Sequence, residues 1–386
     1  VTVTAGAAEH ETSTIALFDQ RDATLFLYPI IPPNPGGFPP GQLVPYVEGT
    51  VLFGGTTGAG LAEWKIVPPP KKDQIKRVYV FTTNGTVRRH GPPVPQGNTT
   101  IDFEPGTGAT GWRYNMYVGS GNMAIYAIAG LHNQRTNVFE PYAMGLRRGI
   151  VTAPGDRLKV DVVVNIPLTE KVEVQLKNVP SGVERHQVRL ALRLGADGYI
   201  LRQDQQVSGE GLPASFSFGR LPRLTYPGLL DASYAVDVVL DRASPSGLPL
   251  LRATETLIPG TVKTIVIDDL VGGPQQVKPL PGAAIEGNTL RWSRSGATPH
   301  LAITAIEAPD ETPIWRIIAP GDATEVKLPD PQTLGLPAWP KGPLIWLQWL
   351  VRLDDAYDYD TFNYGNMSSA YWSRWSLNQF SVQGPQ

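Results

Sequence analysis

Apolar and polar residues alternate along most of this chain in short runs, and glycine or proline closes nearly every run. Period-two alternation puts every second side chain on one face and predicts strands with one face buried. Residues 47–53 form such a run and end at Gly54-Gly55. Residues 78–82 form the next, closed by the turn pair Asn84-Gly85, and 99–103 a third. Within 111–118, Trp112, Tyr114, Met116 and Val118 share one face. Residues 124–130 are an unbroken apolar strand, and 137–146 predict another. Together these predict an antiparallel sandwich of about a hundred residues.

The rhythm then repeats. After the turn Pro154-Gly155-Asp156, strands are expected at 158–166, at 171–176 (with Val172, Val174 and Leu176 on one face), and at 187–194, which ends at Asp197-Gly198. Further strands are expected at 215–218, 234–240 and 261–267. Gly272-Gly273-Pro274 opens a linker, and a third block predicts strands at 289–293, 301–306, 314–318, 324–328, 344–353 and 372–382. No helical period with caps exceeds about two turns. The fold class expected is therefore all-β, with three tandem antiparallel β-sandwich domains of immunoglobulin-like or transthyretin-like type at 45–157, 158–273 and 276–386. Residues 1–44 precede them, with 2–14 small, polar and unpatterned as in a tether or an edge segment, and a strand-like run at 24–28. A linker at 29–40 then carries six prolines, which can build neither a helix nor a central strand and predict a stiff polyproline-type spacer.

Two of these blocks resemble known modules. Val47-x-Gly49-x-Val51, the strand beginning Trp112-x-Tyr114, and the run from Ala124 to Gly130 look like a carboxypeptidase regulatory-like (transthyretin-like) domain over about 45–157. That resemblance implies a non-catalytic module. An early strand ending Leu290-Arg291-Trp292-Ser293, and a short strand running into Leu328-Pro329-Asp330-Pro331 ahead of a long one, are similar to a fibronectin type III domain over about 276–386. In combination they resemble multidomain surface lipoproteins of Gram-negative bacteria, myxobacteria included.

Composition narrows location more than activity. The chain has 386 residues, 40 glycines, 37 prolines and no cysteine. The missing thiols exclude disulfides, cysteine-ligated zinc and thiol catalysis. They fit an exported protein, and Val1 in place of a methionine fits a processed start. A net charge of −2 gives no field that would steer the chain to nucleic acid or anionic lipid. No apolar run reaches the ~20 residues of a membrane helix, so a membrane would be met only through a lipid anchor. The location expected is extracellular, or the outer-membrane surface of a Gram-negative bacterium.

Candidate chemistry is sparse. Residues 106–111 match G-x-G-x-x-G, but an alternating strand follows where a dinucleotide site needs a helix N-terminus, so a loop is expected. The glycine-rich run 54–60 lacks the Gly-Lys-Ser/Thr of a phosphate loop. The five histidines, His10, His90, His132, His186 and His300, have no metal-ligand spacing. Asp354, Asp355, Asp358 and Asp360 crowd one loop in the manner of oxygen ligands for Ca²⁺, without the order or closing glutamate of an EF-hand. A solvated loop is the competing reading, and Ca²⁺ is the one cofactor the residues suggest. Aromatic residues gather around that loop. Trp346 and Trp349 lie three apart, as do Trp372 and Trp375, so one of each pair is expected to face outward. With Tyr357 and Tyr359 they form a candidate surface for a glycan or protein ligand, against the alternative that they fill a core.

The function expected is non-enzymatic: an exported structural or adhesion protein of the cell surface, able to self-associate through edge strands or its N-terminal segment into a layer or filament. The alternative is a carbohydrate-binding accessory module that uses the C-terminal aromatics.

Overall fold

The computed structural model describes residues 2–7, 10–19, 25, 45–53, 66–83, 99–101, 112–242, 248–353, 357–367 and 371–385. Among the described residues the regular elements are strands and short 3₁₀ turns. Two strands precede the first expected block, β1 (Val3–Ala5) and β2 (Thr12–Ile15). That block holds β3 (Tyr46–Phe53), β4 (Gln74–Thr82), β5 (Thr99–Ile101), β6 (Trp112–Tyr117), β7 (Gly121–Asn133), β8 (Val138–Thr152) and β9 (Arg157–Lys159). Next come β10 (Val162–Leu176), β11 (Arg185–Arg193), β12 (Tyr199–Ser208), β13 (Ser215–Pro222), β14 (Ser233–Asp241), β15 (Leu250–Ile258) and β16 (Thr264–Ile267). The last block is β17 (Gln275–Lys278), β18 (Thr289–Ser293), β19 (Leu301–Glu307), β20 (Pro313–Pro320), β21 (Glu325–Lys327), β22 (Pro343–Arg352) and β23 (Arg374–Gln383). The all-β expectation holds. The strand-like run at 24–28 (apart from Leu25), the proline-rich 29–40, the glycine runs 54–60 and 106–111, and Asn84-Gly85 lie outside the described residues.

Hydrogen bonding crosses both expected block boundaries. One ten-stranded sheet has the order β1-β2-β20-β19-β22-β23-β15-β14-β11-β12. The C-terminal strand β23 pairs antiparallel with β15, Leu250 opposite Leu377 and Ala253 opposite Arg374, so the middle and last blocks share one sheet. The other ten-stranded sheet runs β5-β4-β7-β8-β10-β3-β6, with β13 and β16 added on β10 and β9 on β3. Here β10 is the joint. It pairs with β3 and β8 near its start and with β13 and β16 further along. Apart from Glu170, which pairs with Arg223 and Lys263, its even-numbered residues are apolar and buried: Val162 and Val164 lie in the first core, and Ile166, Leu168, Val172, Val174 and Leu176 in the next. The expected strands at 158–166 and 171–176 thus meet in one long strand.

The unbroken apolar run in β7 has a reason in this arrangement. Ile125, Ala127 and Ala129 face the first core while Ala124 and Tyr126 face the second. A strand covered on both faces needs no polar positions. The same holds in β19, where Leu301 and Ile303 face one core and Ala302 and Ile306 another. In the last block the three-stranded sheet β17-β18-β21 lays Leu290, Trp292 and Val326 over one face of the large sheet. The other face is covered by the N-terminal segment and by residues from 357–367 and Trp372, through Ile15, Phe18, Phe362 and their neighbours.

Gly49, the middle residue of Val47-x-Gly49-x-Val51, has a steric role. Added at Gly49, a Cβ would lie 1.7 Å from the Val160 carbonyl oxygen and 2.9 Å from the Tyr114 ring. The chain returns there parallel to β3, and Tyr114 Oη donates to Val160 O at 2.6 Å. We predict that Gly49→Ala costs about 1–3 kcal/mol, because backbone and not a side-chain tip must move. The Val160 amide, which donates to Glu48 O at 2.8 Å, should exchange hydrogen faster in the variant. Unchanged exchange at Val160 would show that the strand does not move.

Candidate functional site

The end of the large sheet formed by β2, β20, β19 and β22 gathers most of the residues singled out from the sequence. Trp346 and Trp349 do lie on opposite faces of β22. Neither face is bare, because the sheet is covered on both sides. Trp346 is 0% exposed within the core under the three-stranded sheet. Trp349 packs, half-buried, against the opposite cluster. Trp346 therefore has no open ring face for a ligand, contrary to the surface expected for it. Trp372 precedes β23 instead of lying in it, so strand alternation does not govern the Trp372–Trp375 pair. Their rings meet edge to face at 6.0 Å. Trp375 is 7% exposed, and Trp372 is half-buried with its indole N–H donating to Asn366 O at 2.8 Å.

Tyr357 and Tyr359 are likewise half-buried against this cluster. Tyr357 stacks on His300 at 5.7 Å. Burial, reinforced by Asp358 and Asp360, pushes its hydroxyl well above the ordinary tyrosine range, and its Oη finds no hydrogen-bond partner among the described residues. The Tyr359 hydroxyl donates to Ala16 O at 2.6 Å, with Ile318 O a further 3.2 Å contact. This tyrosine therefore ties the N-terminal segment to the sheet. Asp358 caps the 3₁₀ turn Tyr359–Thr361, accepting from Asp360 N at 3.1 Å. Asp354 and Asp355 lie outside the described residues. Among the described residues no three carboxylates or histidines gather as a cation site would require.

The N-terminal segment is the part of this site that sequence reasoning underestimated. Unpatterned and polar, it nevertheless lays β2 parallel to β20, Thr12 opposite Trp315 and Ile15 opposite Ile318. All four residues of β2 are buried. The Trp315 indole donates to Thr14 Oγ1 at 2.9 Å, Ala16 N donates to Ile318 O at 2.8 Å, and Ile15 and Phe18 enter the apolar cluster. Beside it lies a groove of about 500 Å³ lined by Ala7, His10, Trp315, Leu336 and Trp339. The two indoles stack at 5.0 Å, and Trp339 Nε1 donates to Pro329 O at 3.2 Å. The threonine-rich pattern hides the strand because threonine reads as polar, although it is a good strand former.

Glu11 fastens this segment at a cost. It is buried, and its Oε1 lies 3.1 Å from Arg316 Nε in an ion pair without hydrogen-bond geometry. Burial outweighs the pull of Arg316 and raises the Glu11 carboxyl above its ordinary 4.5. Glu307 is raised for the same reason, with Glu11 and Glu311 adding to the shift and Arg316 opposing it. A carboxyl raised in the folded state binds more protons folded than unfolded. Stability contributed by these groups is therefore greatest below pH 4.5 and falls as the pH climbs from 4.5 through the raised values. We predict that the segment is held more tightly at pH 4.5 than at pH 7.5, and that Glu11→Gln flattens the difference. Hydrogen exchange of the Ala16 amide at the two pH values reads this directly. Equal protection in the wild-type chain would overturn it.

On the same face of the large sheet, beyond Trp375, a line of charges crosses the strands. Asp237 on β14 takes Arg252 of β15 at 2.5 and 2.9 Å and Arg189 of β11 at 3.1 Å, and Arg189 also lies 3.5 Å from Asp204 of β12. The histidines stay apart. His132 meets the Tyr79 hydroxyl, His186 meets Pro213 O, and His300 Nδ1 accepts from Leu353 N. Burial lowers the His186 pKa. His90 lies outside the described residues.

No protein-family model matches the chain, and none of the curated proteins matches it. Among solved structures, a leucine-rich repeat protein from Bacteroides thetaiotaomicron is similar over 59% of this chain and 26% of its own length, at 9% identity and a TM-score of 0.17. This chain thus spans about a quarter of that protein. A candidate adhesin from Bacteroides ovatus is similar over 58% of this chain and 93% of its own length, at 13% identity and a TM-score of 0.18. Neither is described as a carboxypeptidase regulatory-like or fibronectin type III protein.

Proposed function

We propose that this chain is a non-enzymatic structural or adhesion protein of the bacterial cell surface, and that the end built by β2, β20 and β22 is its contact end. The observation that supports this reading most is the single sheet running from β1 through β23 into β12. A contact made at the β1–β2 end is transmitted through laterally hydrogen-bonded strands to the middle block. Catalysis asks for a precise constellation of reacting groups. Presentation asks for a stiff frame, and a shared sheet is a stiff frame that needs no disulfide.

The test is made on intact cells that produce the chain. Antibody labelling and protease shaving should reach it without lysis, and deleting its coding sequence should weaken attachment to a surface or to other cells. Labelling that appears only after lysis would overturn the reading.

A further inference from the structure

We propose that β2 is an exchangeable strand: the seat along β20 accepts residues 12–15 of a second copy of this chain, so that copies are joined by an intermolecular sheet. This goes beyond the surface reading and does not depend on it.

Four observations carry the inference. First, seat and strand come from opposite ends of the chain, Thr14 and Trp315 being 301 residues apart. Nothing in the local chain forces the two to meet within one molecule. Second, the seat is costly to leave empty. Ile15 and Phe18 are nearly fully buried against Ile303, Ile318 and Phe362, and withdrawing them exposes that apolar cluster along an unpaired β20 edge. Exposed apolar surface and open strand edges both favour refilling by strand addition.

Third, the fastenings all run between the segment and the seat. They are the β2–β20 ladder, the Trp315 indole on Thr14, the Tyr359 hydroxyl on Ala16 O, and the Glu11–Arg316 pair. Leu25, the one described residue between Asp19 and Pro45, packs on the same cluster. Each contact is the same whether the segment arrives from its own chain or from another. An identical element exchanged between copies keeps its enthalpy and changes only the association entropy. Fourth, the covalent tether is long. The next described strand, β3, begins at Tyr46, and the 19 residues 26–44 that follow Leu25 can span about 60 Å at ~3.3 Å each. That reach allows either seating, with protein concentration deciding between them.

The absence of cysteine makes the test unambiguous. Ser13 and Arg316 are directly paired in the parallel register. Two full-length variants, Ser13→Cys and Arg316→Cys, are made with different tags, and the double variant serves as the within-chain reference. The two single variants are unfolded together in urea, refolded over a range of concentrations, and oxidised. Exchange predicts a mixed disulfide dimer carrying both tags. Its fraction should rise with protein concentration and be lost on dilution before refolding. A within-chain bond in the double variant, with no mixed dimer at any concentration, would overturn exchange. Failure of the double variant to crosslink would overturn the seat itself. A surface-located monomer would sink only the exchange, and an exchanging protein found inside the cell would sink only the surface reading.

Discussion

Replacing Asp237 by alanine is expected to lower the stability of the protein by about 3–5 kcal/mol, because it strands buried positive charge. Asp237 is fully buried at the middle of β14. Its Oδ1 accepts from Arg252 Nε at 2.5 Å, and its Oδ2 from Arg252 Nη2 at 2.9 Å and Arg189 Nη1 at 3.1 Å. Arg252 is itself buried. Without the carboxylate, that guanidinium stays buried and loses the counter-charge that accepts from both its Nε and its Nη2. The ion pair need not be stabilising relative to an apolar replacement, since desolvating both partners offsets much of their attraction. The double variant Asp237→Leu with Arg252→Met is therefore expected to lose less than Asp237→Ala alone. Urea unfolding of the wild type, of Asp237→Ala, of the singles Asp237→Leu and Arg252→Met, and of their double variant measures this. A double variant whose loss equals the sum of the singles would show that the two groups are not coupled.

Trp346→Ala carries the second large effect, again about 3–5 kcal/mol. The ring is fully buried, meeting Trp292 edge-on at 6.4 Å and Phe380 at 4.8 Å. Its Nε1 donates at 3.2 Å to Gln348 Oε1, which also accepts from Thr304 Oγ1 at 2.6 Å. Truncation leaves a large cavity between the two sheets of the last block and removes one of the partners of a buried glutamine. Trp346→Phe keeps most of the volume and should lose less than half as much. The comparison with Trp372→Ala separates a core role from a ligand platform. Trp372 is only half-buried, and its removal should cost clearly less in the same unfolding measurement. A Trp346→Ala chain as stable as the wild type, but unable to bind a glycan, would reverse this assignment.

How legible the chain was depended on what each element packs against. Val162, Val164, Ile166, Val172, Val174 and Leu176 announce β10, because apolar residues recur at every second position on either side of Glu170. β15 was missed. Its outward positions, Arg252 and Thr254, join the Asp237 network, so a buried strand reads as Leu-Leu-Arg-Ala-Thr-Glu-Thr with no clean alternation. β12 was missed for a similar reason. Gln203 and Gln205 point back to the Gly219 and Ser217 carbonyls of β13, so polar residues fill its inward positions. β2 was legible only as a tether or an edge segment because Thr12, Ser13 and Thr14 look solvated, yet all three are buried between β1 and β20, and Thr14 Oγ1 accepts from the Trp315 indole. In the acidic, aromatic loop the residue types were evident from sequence. That Asp358 is used as a turn cap, and Tyr359 as a clasp on the N-terminal segment, was not.

By itself the sequence determined the all-β class, most strand positions and the turns between them. It also determined the thiol-free chemistry that leaves packing as the means of holding the frame together. Those properties are local: alternation, glycine, proline and residue type act within a few positions of themselves. The tertiary structure alone decided that β15 would pair with β23, that β10 would serve two cores, and that Ile15 would lodge beside Ile318. It also decided that both faces of β22 would be covered, which turned Trp346 from a prospective surface into a core residue. Strand pairing and burial on a second face join residues up to about three hundred positions apart, as Thr14 and Trp315 are. No local pattern encodes which distant edge closes the loop, because that choice is settled by the summed burial and hydrogen bonding of the whole sheet.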